Sequence, residues 1–200
     1  DKIGKDDIMI ETKVGLKRIL KEGELYKVDM GKLKTTGREM EGLVRVDMPL
    51  DKPLLDISLS FSGVKSPLQL SIVNTGEPHL VIFVDDVDME NIGAYGEAIA
   101  VNRSVFPYGT NLNLVQVIDK STIKVRTYER GVWGETFACG TGATASAAVS
   151  YLTGRVRDRR IKAKMRGGDL FNEMDSNGTL YLIGPAVKVF RGVYKGPVPT

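Results

Sequence analysis

The 200 residues carry 28 Lys and Arg against 25 Asp and Glu, are 42% hydrophobic, and include one cysteine and one histidine. That balance excludes a disordered polyelectrolyte, and no apolar run reaches the roughly 20 residues of a membrane-spanning helix. A lone thiol excludes an internal disulfide and, with no signal-peptide pattern in the opening DKIGKDD, points to a reducing cytoplasm.

In chain order, Ile8 to Val28 alternates apolar and polar residues around Glu22-Gly23-Glu24, which predicts two or three short strands. Further strands are expected at Val44–Met48, Leu55–Phe61 and Leu68–Val73, with Gly63 and Pro67 between the last two. HLVIFV, residues 79–84, is continuously apolar and predicts a strand covered on both faces, ended by Asp85-Asp86. Glu90–Ala100 is a helix candidate, and Pro107-Tyr108-Gly109 marks the loop after it. Asn113–Val117 and Thr122–Tyr128 read as paired strands joined at Asp119-Lys120. Arg155, Arg157, Arg159, Arg160, Lys162, Lys164 and Arg166 alternate with Val156, Ile161, Ala163 and Met165. That is the pattern of a strand with one solvated face rather than of a nucleic-acid surface. Asp85, Asp86 and Asp88 lack the spacing of a metal site and read as a solvated turn.

The stretch ETFACGTGATASAAVS, residues 135–150, is the most informative. Ala143–Leu152 favours helix, has almost no charged face, and stops at Gly154, so a buried helix wrapped by a sheet is expected. Cys139 falls at its first turn, where unpaired N–H groups and the positive end of the helix dipole favour thiolate. There a thiol pKa is expected to fall from about 8.5 into the range of roughly 3.5–7.5. Gly140 and Gly142 leave the same N–H groups open to a carboxylate. A base beside an anion cradle suits proton abstraction at the α-carbon of an amino acid, where charge develops toward the carboxylate. The bland alternative is an inert buried cysteine. Racemisation also requires a second acid/base on the opposite face, and this sequence has no second cysteine.

Four blocks occur in the order of a known family: NTGEPHLVIFVDDVD (74–88), GTNLNLVQV (109–117), RTYERGVWGETFACGTGATAS (126–146) and GPAVKVFRG (184–192). Together they resemble diaminopimelate epimerase. The resemblance implies an α+β fold of two similar domains, each a mixed or antiparallel β-barrel around a central buried helix, with the site between them. It implies a cofactor-independent reaction using two opposed cysteines, no metal, diaminopimelate as small-molecule substrate, a role in lysine biosynthesis, and a homodimer with neither nucleic-acid nor membrane partners. Carried over residue by residue, Cys139 is one catalytic thiol, and Gly140 and Thr141 offer N–H groups to the reacting carboxylate. Glu129 and Arg130 contact substrate, Asn111 binds its far end, and Glu129 and His79 join Cys139 as the catalytic residues. On their own residues, Glu129-Arg130 could instead end a strand in a solvated turn, Asn111 could cap a turn, and His79 could be a structural histidine.

Three departures qualify the resemblance. Val132-Trp133 lengthens the link between Glu-Arg-Gly and Gly-Glu-Thr by one residue, and the role of Trp133 is open. Glu77 stands where many members have asparagine, and because a carboxylate cannot donate to a substrate carboxylate it carries little weight as a contact. The family's first half, with the other cysteine, has no counterpart, which implies a fragment that is inactive alone. Residues 1–33 and 185–200 are then expected to be remnant strands of the first domain, and 34–184 the second domain. The alternatives are a related racemase of proline, hydroxyproline or histidine type, and a non-catalytic binding domain of the same fold.

Overall fold

The computed structural model describes residues 5–12, 15–64, 67–193 and 195–196. Three strands come first, β1 (Asp7–Thr12), β2 (Gly15–Glu22) and β3 (Leu25–Lys32), and they pair in sequence as an antiparallel meander. The β2–β3 turn is the expected one at Gly23-Glu24. Residues 33–64 are largely irregular. The expected strand at Val44–Met48 does not form, although Arg45 N–H donates to Val105 O at 2.8 Å. Its alternation is nonetheless real, because Val44, Val46 and Met48 pack on a core cluster. Alternation reports which side is buried, and a strand also needs a neighbour to pair with. For the same reason Leu55–Phe61 contracts to β4 (Ile57–Leu59).

The regular part follows: β5 (Leu68–Asn74), β6 (Pro78–Phe83), α1 (Ile92–Tyr95), β7 (Asn111–Val117), β8 (Thr122–Glu129), β9 (Gly134–Thr136), α2 (Gly140–Leu152), β10 (Arg160–Met165), β11 (Gly168–Met174) and β12 (Thr179–Pro185). Asn91 caps α1 through its side chain, accepting from Ala94 N–H at 3.2 Å. The helix then widens into a π turn over Gly96–Ala100. Gly96 lies against the Tyr128 ring, where a Cβ would meet ring carbons at 2.2 Å.

The sheet runs β1-β2-β3-β12-β11-β10-β8-β7-β6-β5-β4, with β9 attached to β8. Two neighbouring pairs are parallel, β6–β7 and β8–β10, and the rest are antiparallel. Parallel neighbours need a crossover, and the two crossovers carry α1 and α2. The helices lie on opposite faces. Leu80, Ile82, Leu112, Leu114 and Tyr128 join Ile92 and Ile99 in one core, while Val81, Val115, Ile123 and Val125 join Ala143, Ala145, Ala147 and Val149 in the other. Hence β6 is buried along almost its whole length on both faces, as its apolar run predicts.

The sheet curls around α2 without closing into the expected barrel. Its outermost strands in that order are β1 and β4. One isolated antiparallel bridge, Lys34 with Asn74, ties the segment leaving β3 to the end of β5. Nine consecutive α2 residues, Gly142 to Ser150, are buried. Hydroxyls within this apolar setting bond back into the helix: Thr144 Oγ1 to Gly140 O at 2.9 Å and Ser150 Oγ to Ser146 O at 2.7 Å. Such bonds satisfy groups that would otherwise be costly to bury. Among the described residues no helix is long and apolar enough to cross a membrane. After β12, described residues 186–193 form no strand, contrary to the strands expected there, and Val187, Val189, Phe190 and Val193 are exposed. Residues 1–4, 13–14, 194 and 197–200 of the expected remnant lie outside the described residues.

Candidate active site

Near the first turn of α2, which carries Cys139, Gly140 and Thr141, three further candidates, His79, Asn111 and Glu129, come from one face of three strands. Side chains alternate along a strand, so His79 on β6, Asn111 and Asn113 on β7, and Thr127 and Glu129 on β8 share the parity of residues that pack on α2. Pairing registers His79 opposite Asn111, and Asn113 opposite Thr127. Local alternation and register together converge the five on the helix N-terminus.

Cys139 is the N-cap residue of α2, with extended backbone angles (φ −131°, ψ 109°), and its O accepts the first helical bond from Ala143 N–H at 2.9 Å. The sulfur lies 3.4 Å from Thr141 Oγ1 and is only 7% exposed. Thr141 is further tied down where its O accepts from Thr75 Oγ1 at 3.4 Å. The thiol differs from the expected low-pKa group. Burial raises its pKa, the Thr141 hydroxyl and Gly142 N–H act in the opposite direction, and the Glu129 and Glu77 carboxylates raise it further. Desolvation and two nearby negative charges outweigh the helix terminus in this chain. Gly140 and Thr141, half-buried, begin the helix where backbone N–H groups lack intrahelical acceptors.

Behind the sulfur lies a buried polar network that sequence reasoning overlooked. Thr127 Oγ1 donates to Asn113 Oδ1 at 2.9 Å, and Asn113 Nδ2 donates to Leu80 O at 3.1 Å and meets His79 Nδ1 at 3.2 Å. Because Asn113 Nδ2 can only donate, His79 Nδ1 accepts and the ring proton resides on Nε2. His79 is fully buried, and burial, then the Arg130 charge, pushes its pKa down to about 3. Its ring is therefore neutral at physiological pH. Gly142 lies against this network: an added Cβ would meet Asn113 Oδ1 at 2.5 Å and Thr127 Oγ1 at 3.1 Å. The sequence signal was available, since Asn113 and Thr127 extend the polar positions Asn111 and Glu129 inward along faces that then turn apolar at Val115 and Val125.

At the outer end, Asn111 is 1% exposed and sits within a strand, so it is no turn cap. Its Oδ1 accepts from Arg130 N–H at 2.8 Å, and its Nδ2 donates to Pro78 O at 3.3 Å and to Glu77 Oε2 at 3.2 Å. Arg130 Nη2 lies 3.3 Å from the same Glu77 oxygen. Glu77, given little weight from sequence, thus joins the site as the partner of two expected substrate contacts. Glu129 is half-buried and near enough to Cys139 for its charge to act on the thiol. Trp133 adopts a left-handed backbone (φ 53°) and donates its N–H to Glu129 O at 2.8 Å, and its ring contacts the Arg103 guanidinium. The extra residue is thereby absorbed in the turn, leaving the register of β8 with β9 intact.

Lys124 and Arg126, of the opposite parity on β8, make ion pairs on its other face. Arg126 holds Glu135 through two bonds, at 2.7 and 2.9 Å, and Arg166 joins the same carboxylate at 3.0 Å. Those guanidiniums, Arg126 first, lower the Glu135 pKa. Asp88 pairs with Lys124. Among the described residues no three His, Cys, Asp or Glu side chains assemble as a metal site.

The chain is similar to known proteins in sequence and in fold. Residues 71–189, which include every candidate site residue, match the family model described as diaminopimelate epimerase. The diaminopimelate epimerase of Aquifex aeolicus is 47% identical over 123 residues, covering 60% of this chain and 44% of that protein. That of Pelotomaculum thermopropionicum is 36% identical over 197 residues, covering 94% of this chain and 66% of that protein. The chain therefore spans about half to two thirds of the length of these curated relatives. In fold it is similar to a PhzC/PhzF-type phenazine biosynthesis protein of Clostridium difficile (TM-score 0.59, 13% identity, 96% of this chain and 66% of that one). A probable proline racemase of Agrobacterium radiobacter is similar to the same degree (TM-score 0.57, 12% identity, 92% of this chain and 58% of that one). A cysteine-headed helix inside an open mixed sheet, at the centre of a sequence match that runs through both helices, makes this chain a member of the diaminopimelate epimerase family.

Proposed function

We propose that the protein carrying this chain interconverts LL- and meso-diaminopimelate, without pyridoxal phosphate, as a step of lysine biosynthesis. The observation that supports this most directly is the placement of the Cys139 sulfur at the N-terminus of α2, beside the Gly142 N–H and the Thr141 hydroxyl. In this reading the substrate's reacting carboxylate lies against the N–H groups of Gly140 and Thr141, which stabilise the charge that develops as the α-proton leaves. Cys139 serves as the acid or base on one face. Glu129 contacts the substrate beside the sulfur, and Asn111 and Arg130 hold its far end. His79 supports the site as a buried neutral ring and exchanges no proton.

The raised thiol pKa fits a two-group mechanism in one respect: a group that returns a proton must first keep it, and Cys139 is then the thiol partner of a thiolate on the opposite face. That second group would come from polypeptide outside these 200 residues. Residues 1–33 and 185–200 would belong with that first domain, and 34–184 would form the second. Exposed Val187, Val189, Phe190 and Val193, together with the apolar strip of Ile19, Tyr26, Val28 and Leu182 on β2, β3 and β12, support a covering domain there. A cytoplasmic homodimer belongs to the same proposal.

The decisive experiment follows α-hydrogen exchange into diaminopimelate in deuterated water. Cys139→Ala in the complete protein is expected to abolish epimerisation, and wild-type turnover by that variant would refute the assignment. The 200-residue chain alone is expected to be inactive. Assays with proline, hydroxyproline and histidine separate the proposed substrate from the alternatives.

A further inference from the structure

The proposed chemistry leaves the lengthened β8–β9 turn unexplained, and that turn carries a strained residue. Trp133 stands at φ 53°, in the left-handed region that a bulky side chain rarely adopts. Such a conformation persists only where its surroundings over-determine it. Two contacts do so here. Trp133 N–H donates to Glu129 O at 2.8 Å, closing the turn that leaves β8. Its ring lies against Gly109, where an added Cβ would meet Cη2 at 2.6 Å and Cζ3 at 3.1 Å. The Arg103 guanidinium sits 5.4 Å from the ring centroid and donates through Nη1 to Pro107 O at 3.3 Å, so it holds the ring to the same loop.

Gly109 belongs to a rigid platform. Its N–H donates to Phe106 O at 2.8 Å, the next residue's Thr110 N–H donates to Ala100 O at 3.0 Å, and the Thr110 hydroxyl donates to Pro78 O at 3.0 Å. Thr110 is fully buried, and β7 begins one residue later. The turn has little packing of its own by contrast: Val132 is 62% exposed, and a Cβ added at Gly131 or Gly134 would meet nothing within 4 Å. A segment with two unpacked glycines samples many conformers unless something outside it removes them, and ordering it at the moment of binding would weaken the binding. We propose that Trp133 is a positioning residue: its ring moors the β8–β9 turn to the loop before β7 and so holds Glu129 and Arg130 ready for substrate. This rests on the reading of that pair as substrate contacts.

The test compares the complete wild-type protein with W133G, which accepts the same backbone angles without the ring, and W133F, which keeps an aromatic ring. Amide deuterium exchange reads the mooring without ligand. Residues 130–134 should exchange about ten-fold or more faster in W133G, with α2 unchanged and W133F within about three-fold of wild type. A change at 130–134 of less than about two-fold, or an equal acceleration in α2, overturns the proposal. Kinetics read the consequence: in W133G the KM for diaminopimelate should rise about ten-fold while kcat falls by less than about three-fold, and W133F should restore most of the loss. A fall in kcat with KM unchanged overturns the positioning role. G109A, whose methyl group would displace the ring, should raise KM in the wild-type background and add little in W133G, and full additivity would show that the ring is not seated there. Protection of Cys139 from iodoacetamide by diaminopimelate gives the same binding comparison without turnover. A wild-type protein that exchanges no α-hydrogen in diaminopimelate overturns the epimerase reading, and the amide exchange then still decides whether Trp133 moors the turn.

Discussion

Strands β6, β7 and β8 present two faces to two helices, and the faces are built for different tasks. Toward α1 they offer Leu80, Ile82, Leu112, Leu114 and Tyr128, large apolar groups that gain stability from area alone. Toward α2 they offer Val81, Val115 and Val125 along most of the length, then His79, Asn113 and Thr127 where the helix begins. The α2 face accepts small and polar groups because the helix itself is small-sided, so the backbone comes close and hydrogen bonds take the place of bulk. One face tolerates any good filling. The other depends on atoms being where their partners are.

Substitutions on the two faces should therefore separate stability from activity. The largest stability loss belongs to the α1 side. Ile72→Ala, at a fully buried position in that core, should cost about 3–4 kcal/mol in denaturant unfolding of the complete protein while sparing kcat. A comparable loss of kcat would break the comparison. Next comes Gly142→Ala, whose Cβ would press on Asn113 Oδ1. It should cost about 2–3 kcal/mol and reduce kcat/KM by roughly a hundred-fold, since the network and the first turn of α2 must both shift.

His79 sharpens the comparison through pH. Its folded pKa of about 3 lies below the ordinary histidine value of about 6.5, so below the latter the unfolded chain takes up a proton that the native state refuses. The contribution is present above about pH 6.5 and is lost as pH falls toward 3. Between pH 7 and pH 5 the loss should be about 2 kcal/mol, measured by urea unfolding, and His79→Gln should flatten that part of the profile. The smallest effect is Thr127→Val, which preserves volume but leaves Asn113 Oδ1 without its donor; about 1–2 kcal/mol is expected, with a larger proportional loss in turnover than any α1-face substitution of equal cost.

Much of this contrast was legible in the sequence, because periodicity encodes burial. HLVIFV fixed a doubly covered strand, and the small-residue run after Cys139 announced a helix that other backbones approach. Of the basic alternation over residues 155–166, Arg160–Met165 form β10, with Ile161, Ala163 and Met165 buried and its charged side chains more exposed. What could not be read was pairing. Val44–Met48 alternates like a strand yet has no strand partner, and the curled sheet stays open although a bridge joins Lys34 to Asn74. At the site, residue types pointed to Cys139, Glu129, Arg130 and Asn111. Electrostatics required coordinates: burial and the nearby Glu129 and Glu77 charges reverse the direction that a helix N-terminus alone would give the thiol. Glu77 was discounted as a contact in its own right because its importance lies in a cross-strand partner, which a linear reading does not reveal.

The unbroken burial of Gly142 to Ser150 has a dynamic corollary. A segment with no solvent-facing side has no local opening through which its amides can meet water, so exchange there must await cooperative loss of the surrounding strands. Deuterium should reach the rim strands β1 and β4 early and this axis last. The sulfur at its head is consequently mounted on the slowest-exchanging part of the chain, and its alignment need not be restored after the small fluctuations that loosen the periphery.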